Sequence, residues 1–156
     1  LGQIVGPRPA ATQAAEWAFM AFEDWANSVN FTPIFTEFTV HSMTHRYAGT
    51  TDMLALVDGR RVVIDLKTSK SIYAEYFLQV AAYARGLDEM GHGPIDGAMV
   101  LRLPKNETDP AFEAVNAVDI DGLFSAFLSV RQVWQWWHEA EEANRAAWVA
   151  NKRKGA

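Results

Sequence analysis

Two carboxylates and a lysine on neighbouring segments are the residues best suited to chemistry. Asp52 ends the run Gly49-Thr50-Thr51-Asp52, and Asp65 lies two positions before Lys67, with Asp58-Gly59 between the two segments. Asp-Gly between two β-branched, apolar runs is a strong signal for a hairpin. Carboxylate oxygens suit Mg²⁺ and Mn²⁺, and a lysine beside such an ion can stabilise negative charge that develops on phosphorus. The pattern predicts a site for phosphoryl chemistry on this hairpin.

The register of the hairpin decides whether these side chains meet. With a two-residue loop, Val57 pairs with Arg60 and Asp52 lies opposite Asp65, with Cβ atoms roughly 4.5–5.5 Å apart. The two-residue period of a strand then places Lys67 on the same face as Asp65. Directly opposed like charges destabilise a sheet, and a divalent cation between them would remove that penalty.

A longer loop gives a different site. With four loop residues, Val57 pairs with Val62 and Asp52 lies opposite Lys67. The group would then be a cross-strand ion pair that contributes at most about 1 kcal/mol if exposed. The hairpin by itself leaves both registers open.

Three short motifs occur in order within a span of about 35 residues. They are Gly49-Thr50-Thr51-Asp52, Val63-Ile64-Asp65-Leu66-Lys67-Thr68 and Gln79-Val80-Ala81-Ala82-Tyr83. With these motifs the chain resembles the PD-(D/E)XK nuclease superfamily, and especially the RecB-type exonuclease domains, including small phage-encoded relatives. Such domains carry a Gly-x-x-Asp strand, an Asp/Glu-x-Lys strand and a Gln-x-x-x-Tyr helix. The resemblance covers roughly Glu37–Leu87.

The resemblance implies roles for the hairpin residues. Asp52 and Asp65 correspond to catalytic, metal-binding carboxylates, the backbone carbonyl of Leu66 to a further metal ligand, and Lys67 to the catalytic lysine. The implied activity is that of a Mg²⁺- or Mn²⁺-dependent deoxyribonuclease, an exonuclease that hydrolyses phosphodiester bonds in DNA recombination, repair or phage DNA processing. The alternative is a non-catalytic nucleic-acid-binding or scaffolding domain that keeps the fold.

The resemblance also implies supporting residues after the hairpin. Gln79 and Tyr83 match the helix motif, and their spacing of four puts them on one helical face. We expect them, together with Thr68 and Lys70, to contact DNA or support the site. For Gln79 and Tyr83, helix surface and aromatic packing are the alternative explanation.

One part of the RecB-type pattern is missing. Those domains also carry a His or Glu on an N-terminal helix that completes the metal site, and we find no such histidine here. Glu16 and Glu23 lie on the predicted first helix, and Glu37 lies on the predicted first strand. Glu37 is the preferred third metal ligand, and an ordinary surface role is the alternative for all three. We expect residues 1–156 to form a single nuclease-like domain, and because the first residue is Leu, we allow for an upstream segment that this chain lacks.

The motifs sit in an alternating series of elements. The predicted order is a helix from Thr12 to about Ser28, strands Thr36–Arg46, Tyr47–Val57 and Arg60–Thr68, a helix Tyr73–Met90, strands Ile95–Leu103 and Phe112–Val118, and a long helix from about Asp121 to Lys152. This order predicts a mixed α/β (α+β) domain in which a helical crossover follows a three-strand meander. The resemblance adds a restriction-endonuclease-like core, with a central mixed sheet of four to five strands flanked by helices.

The amino-acid composition excludes several kinds of site and fold. The 156 residues, 49 % of them hydrophobic, are enough for one domain with a core. The chain has no cysteine, which excludes disulfides, thiol catalysis, cysteine-bound zinc and a cysteine-ligated iron–sulfur cluster. No apolar run reaches membrane-spanning length, and we expect a cytoplasmic protein of a bacterial or phage-infected cell.

Charge is distributed unevenly along the chain. The net charge is -5, yet His41–Lys70 contains five basic and three acidic residues, so this segment carries +2 and the remainder -7. A basic excess around the hairpin would favour a phosphate backbone, and ordinary surface scatter is the alternative.

The C-terminal helix is rich in tryptophan. Phe127, Val130, Trp134 and Trp137 follow helical spacing, which favours packing in the core over stacking on single-stranded bases. Self-association or a protein partner bound through this helix is the remaining alternative, with DNA as the main expected partner.

Overall fold

Eight elements lie within the described residues, in the predicted order. The computed structural model describes residues 10–106, 108, 109 and 111–154, without the side chains of residues 10–12 and 149–154. The elements are α1 (Ala10–Ser28), β1 (Phe31–Ser42), β2 (Tyr47–Val57), β3 (Arg60–Lys67), α2 (Ala74–Glu89), β4 (Gly97–Arg102), β5 (Glu113–Asn116) and α3 (Ile120–Lys154). The opening segment Leu1–Pro9, for which the sequence predicts no regular structure, lies outside the described residues.

The five strands form one mixed sheet in the order β1-β2-β3-β4-β5. The first three strands are antiparallel neighbours, β4 runs parallel to β3 after the α2 crossover, and β5 is antiparallel to β4. This confirms the predicted mixed α/β class and is the architecture expected of a restriction-endonuclease-like core.

The turn between β2 and β3 has two residues. Asp58 and Gly59 both have positive φ, +50° and +79°, as the two central residues of a type I′ turn require. Val57 pairs with Arg60 across the turn. The two-residue register is therefore confirmed, and the four-residue alternative is wrong.

Helices cover both faces of the sheet. On one face, α1 buries Trp25 against Met53, Ile64 and Leu101. On the other face, α2 packs on the sheet through side chains whose complete burial contributes about 1.5–3 kcal/mol each. These side chains are Val80 and Leu87 of α2 with Leu54, Val63 and Val100 of the sheet. The candidate site belongs to the α2 face.

The regular pleat of β2 is interrupted between Gly49 and Met53. Gly49 lies under the ring of Tyr83 on the α2 side, whereas Met53 packs in the cluster on the α1 side. Residues four apart in a regular strand share a face, so the alternation must break between them. The facing residue on β1, Glu37, has φ +48° and lies between the pairs Thr36–Met53 and Phe38–Thr51.

The break coincides with a fork between β2 and β3. Their pairing runs from Val57–Arg60 to Met53–Ile64 and ends there. Beyond Ile64, β3 continues beside β4 as far as Lys67–Arg102. Asp52 on one branch and Asp65 on the other therefore flank the opening of this fork.

Helix α3 reaches beyond the helix on which it packs. With 35 residues it is about 52 Å long, against about 24 Å for the 16 residues of α2. Near its start, Phe127 packs on Tyr47 with ring centroids 5.1 Å apart. Further along, the tryptophans are 57–62 % exposed: Trp134, Trp136, Trp137 and Trp148. The prediction that this stripe packs in the core is wrong beyond Phe127, because α3 extends past the end of α2, the helix on which it packs.

No helix within the described part of the chain combines the length and apolar character needed to cross a membrane.

Candidate active site

Asp52 and Asp65 lie on the two branches of the fork. Asp52 Oδ2 accepts a hydrogen bond of 2.7 Å from the backbone N–H of Leu66. The expected directly opposed Asp52–Asp65 pair is not formed, because strand pairing stops one step earlier and the Asp52 side chain takes the Leu66 N–H instead. The carboxylates are still close enough that the charge of Asp52 raises the pKa of Asp65.

Asp65 is a buried acid. It is 2 % exposed, and burial is the main cause of its raised pKa, while the Lys67 ammonium acts in the opposite direction. Asp65 Oδ2 lies 2.7 Å from Lys67 Nζ. As predicted from their spacing, Asp65 and Lys67 share a face of the strand.

Lys67 is held on three sides. Besides the contact with Asp65, its Nζ donates a hydrogen bond of 3.0 Å to Gln79 Oε1 on α2. The ring of Tyr76 lies with its centroid 4.9 Å from the same nitrogen, a cation–π distance. The side chain is 21 % exposed, so Lys67 is only partly buried.

The helix motif forms the outer part of the same network. Gln79 Nε2 donates a hydrogen bond of 2.9 Å to Tyr83 Oη. Asp65, Lys67, Gln79 and Tyr83 are thereby linked in one chain of contacts from strand to helix. Tyr83 is only 8 % exposed, so it does not lie on the helix surface, which was one alternative explanation for this residue.

Gly49 permits this approach of helix and strand. A Cβ at position 49 would lie 2.7 Å from Tyr83 Cε1 and 3.0 Å from its hydroxyl oxygen. Gly49, the first residue of the Gly-x-x-Asp motif, therefore leaves the space that is occupied by the ring of Tyr83, the last residue of the Gln-x-x-x-Tyr motif. Both residues belong to the sequence motifs, but the sequence does not show that they are in contact.

Tyr76 is the site residue that sequence reasoning missed. Positions 76, 79 and 83 lie on one face of α2, since residues three and four apart on a helix are neighbours. An aromatic residue three positions before Gln79 was the available signal. Its ring faces the Lys67 ammonium, a contact that depends on the packing of α2 against β3.

The surroundings of Asp65 Oδ2 indicate that the two carboxylates suit a divalent cation. Among the described residues, no donor meets Asp65 Oδ2 with hydrogen-bond geometry, although Lys67 Nζ is within ion-pair distance. A buried carboxylate oxygen without a hydrogen bond costs free energy, and a cation would offset that cost. Two carboxylates and substrate oxygens suit Mg²⁺, which commonly keeps several water ligands. The Leu66 carbonyl stays a predicted ligand.

The structure does not assemble a third acidic ligand. Within the described residues, no three His, Asp or Glu side chains are grouped closely enough to hold a metal ion. Glu37 is exposed on β1 at the strand irregularity and does not join Asp52 and Asp65 in such a group. Glu16 and Glu23 belong to α1, which covers the other face of the sheet.

The loop that joins β3 to α2 carries the remaining predicted residues. Thr68 and Lys70 are both exposed there, directly after Lys67. Their predicted contact with DNA stays a prediction.

The basic excess does not surround the site as expected. Arg60 and Arg61 lie at the turn end of the hairpin, and Arg60 is about 17 Å along the strand from Asp65. The Arg61 guanidinium donates to the Gly93 carbonyl at 2.9 Å. These arginines serve the loop before β4, because the hairpin carries its turn away from the fork.

No protein-family model matches the chain, and its sequence matches no curated protein. Among solved structures, the chain is similar to the crystal structure of an alkaline exonuclease (LHK-Exo) from Laribacter hongkongensis. The TM-score is 0.49 at 13 % sequence identity, over 88 % of this chain and 77 % of that chain. The likeness concerns the arrangement of helices and strands.

Proposed function

We propose that this chain is a Mg²⁺- or Mn²⁺-dependent nuclease that hydrolyses phosphodiester bonds in DNA. The observation that carries the proposal is the buried carboxylate of Asp65, whose Oδ2 is met, among the described residues, by the Lys67 ammonium alone, at 2.7 Å and outside hydrogen-bond geometry, beside Asp52. A buried acid without a satisfied oxygen is expensive to maintain, and such groups are typical of functional sites. A role in holding a cation and a phosphate accounts for it.

Each residue then has a separate task. Asp52 and Asp65 would hold the cation, which when bound polarises a phosphoryl oxygen and activates the attacking water. Lys67 Nζ stabilises the negative charge that builds up on phosphorus. Gln79 holds that nitrogen at 3.0 Å, and Tyr83 orients Gln79, so both are positioning residues.

The exonuclease part of the proposal, and its place in recombination, repair or phage DNA processing, rest on the three motifs together. Gly49, Gln79 and Tyr83 support this resemblance, because they make contacts with each other or with Lys67 rather than lying on a free helix surface. Hydrolysis would form a P–O bond from water and break the bond to the leaving oxygen, with a 5′-phosphate product.

The test is incubation of the purified chain with end-labelled linear DNA, with and without Mn²⁺. We expect cleavage with Mn²⁺ and at least about a 100-fold loss in Asp65→Ala and Lys67→Ala. The matched controls are Asp24→Ala, an exposed acid of α1, and Arg145→Ala, an exposed cation of α3. No cleavage by the wild-type chain, or equal rates in site variants and controls, overturns the proposal.

One observation favours a second candidate, a non-catalytic nucleic-acid-binding or scaffolding domain. Within the described residues the site offers two carboxylates and no third acidic ligand. Thermal melting in a Mn²⁺ titration separates the candidates. A nuclease should gain stability from Mn²⁺ in the wild type and lose that gain in Asp52→Ala and Asp65→Ala, whereas a binding module should bind DNA without it.

A further inference from the structure

A cavity adjoins the candidate active site at Gln79 and Tyr83. It has a volume of about 360 Å³ and lies between α2, the start of β2 and the first turns of α3. Besides those two residues, its lining includes Tyr47, Leu78 and Phe127. Gln79 therefore faces Lys67 through its Oε1 atom and also forms part of the cavity wall.

We propose that this cavity binds an unpaired nucleobase of the DNA strand whose phosphate lies at Asp52, Asp65 and Lys67. The inference rests on the proposed function, since it assigns the cavity to the same strand. The first observation in its support is that the cavity adjoins the candidate active site. Gln79 bonds the Lys67 ammonium and Tyr83 bonds Gln79, while both also line the cavity, so a phosphate bound at Lys67 would have its neighbouring base on the side of the cavity.

The chemistry of the lining is the second support. The rings of Tyr47 and Phe127 are 5.1 Å apart and inclined at 75°. Aromatic side chains bind single-stranded bases by stacking, independently of sequence, because every base has a π-face. The volume lies in the range of small-ligand clefts.

Charge decides against a phosphate or an acidic peptide as the occupant. The lining contains no lysine or arginine, and its one charged residue is Glu75. A carboxylate repels phosphate but accepts a hydrogen bond from the exocyclic amino group of a base. The cavity therefore suits the base of a nucleotide whose phosphate stays outside, next to Lys67.

This occupant sets the substrate class. A base can reach the cavity only when it is unstacked from its partner strand, so the enzyme is expected to favour single-stranded DNA or frayed duplex ends over closed duplex. The preference follows because unpairing and unstacking a base of a closed duplex costs free energy, and this cost is smallest for a base that is already single-stranded.

The test uses single-stranded oligonucleotides that carry 2-aminopurine at successive positions, with Ca²⁺ in place of Mn²⁺ and a gel to verify intact DNA. In the wild type we expect a fluorescence change confined to one or two positions. Phe127→Leu should remove it and weaken binding about 10-fold, because the aromatic face is lost. Phe124→Leu is the matched control, since Phe124 packs on Tyr47 and His45 but does not line the cavity.

A second pair of variants guards against misfolding of the first. Val130 lines the cavity and is 58 % exposed, so Val130→Trp should fill the space and also remove the position-specific change. Val133→Trp, at a position that is 64 % exposed and outside the lining, should leave it intact.

The outcomes separate this inference from the proposed function. A position-specific change that both cavity variants remove, in a chain that does not cleave DNA with Mn²⁺, supports the cavity and overturns the nuclease. Cleavage with a fluorescence change that is equal at all positions, or unaffected by Phe127→Leu and Val130→Trp, overturns the cavity. Concentration-dependent dimerisation that only the cavity variants remove, without a base signal, also overturns it.

Discussion

At the scale of single residues, Asp65 combines burial with an ionisable carboxylate. Its carboxylate is removed from water, and among the described residues its Oδ2 has the Lys67 contact but no donor in hydrogen-bond geometry; burial raises its pKa. Lys67 offsets part of this cost but is shared with Gln79. Such a residue is expected to be unfavourable for the metal-free fold and favourable once a cation is present.

This expectation predicts the behaviour of Asp65→Asn, which keeps the shape and removes the buried charge. Without divalent ions the variant should be more stable than the wild type by about 1 kcal/mol, a rise in Tm of about 2–4 °C. With Mn²⁺ it should gain no further stability. Calorimetry with and without Mn²⁺ measures both effects, and Asp24→Asn is the exposed control. A lower metal-free Tm in Asp65→Asn contradicts the prediction.

At the scale of elements, the site depends on the close approach of α2 to β2. The Tyr83 ring occupies the place where a side chain at position 49 would lie. Tyr83 in turn holds Gln79, and Gln79 holds Lys67. The spacing between these elements therefore sets the position of the ammonium.

Gly49→Ala tests this spacing. The added Cβ must displace Tyr83, so we expect a loss of about 1–3 kcal/mol in unfolding free energy and a marked loss of activity. In a Tyr83→Ala background, the same substitution should cost much less, because the clash is gone. A double-mutant cycle by urea denaturation gives the coupling. Equal costs in both backgrounds would show that Tyr83 does not constrain position 49.

A second contact fixes the other end of α2. The Glu89 carboxylate accepts hydrogen bonds from the Ser42 hydroxyl and from the backbone and hydroxyl of Thr44 in the β1–β2 turn. These bonds lower the pKa of Glu89 from 4.5 to about 2, and the bond from Ser42 has the largest effect. The lowered value means that the folded state favours the ionised form, so this stabilisation is complete above about pH 4.5 and is lost as the pH falls towards 2.

Glu89→Gln should therefore be less stable than the wild type at pH 7, and the difference should shrink steadily between pH 4.5 and pH 2. Urea denaturation across this range measures it. Glu141→Gln, at an exposed position of α3, is the control and should show no such convergence. A difference that is constant with pH would mean that the charge of Glu89 does not contribute.

At the scale of the whole molecule, α3 is longer than the body that supports it. Its first turns pack on α2 and Tyr47, and its later turns expose Val130, Val133, Trp134 and Trp137. Exposed aromatic residues clustered on one helix are typical of interaction surfaces. Binding of a protein partner, or of a second copy, through this stretch stays a prediction.

Self-association has a direct measurement. Sedimentation velocity over a range of concentrations should show reversible association of the wild type. Trp134→Ala and Trp137→Ala should each weaken the association at least about 10-fold, the size expected of interface tryptophans. Met43→Ala removes an even more exposed apolar side chain from the β1–β2 turn and should have no effect. A monomer at every concentration contradicts the prediction.

The sequence alone was enough for features that depend on local chemistry. Asp58-Gly59 predicts a hairpin at this point of the chain, because few other residues tolerate two successive positive φ angles, and it brings the segments of Asp52 and Asp65 together. Period-2 alternation puts Asp65 and Lys67 on one face. Helical spacing puts Gln79 and Tyr83 on one stripe.

Tertiary structure decided how these pieces meet. The fork depends on competition for the Leu66 N–H, which Asp52 takes in place of a strand partner. The contact between Gly49 and Tyr83 depends on how closely α2 packs on the sheet. Periodicity marked the tryptophans of α3 as one stripe but carries no information on the length of the helix they would pack against. Local signals determine which residues share a face, and only the packed chain determines what that face meets.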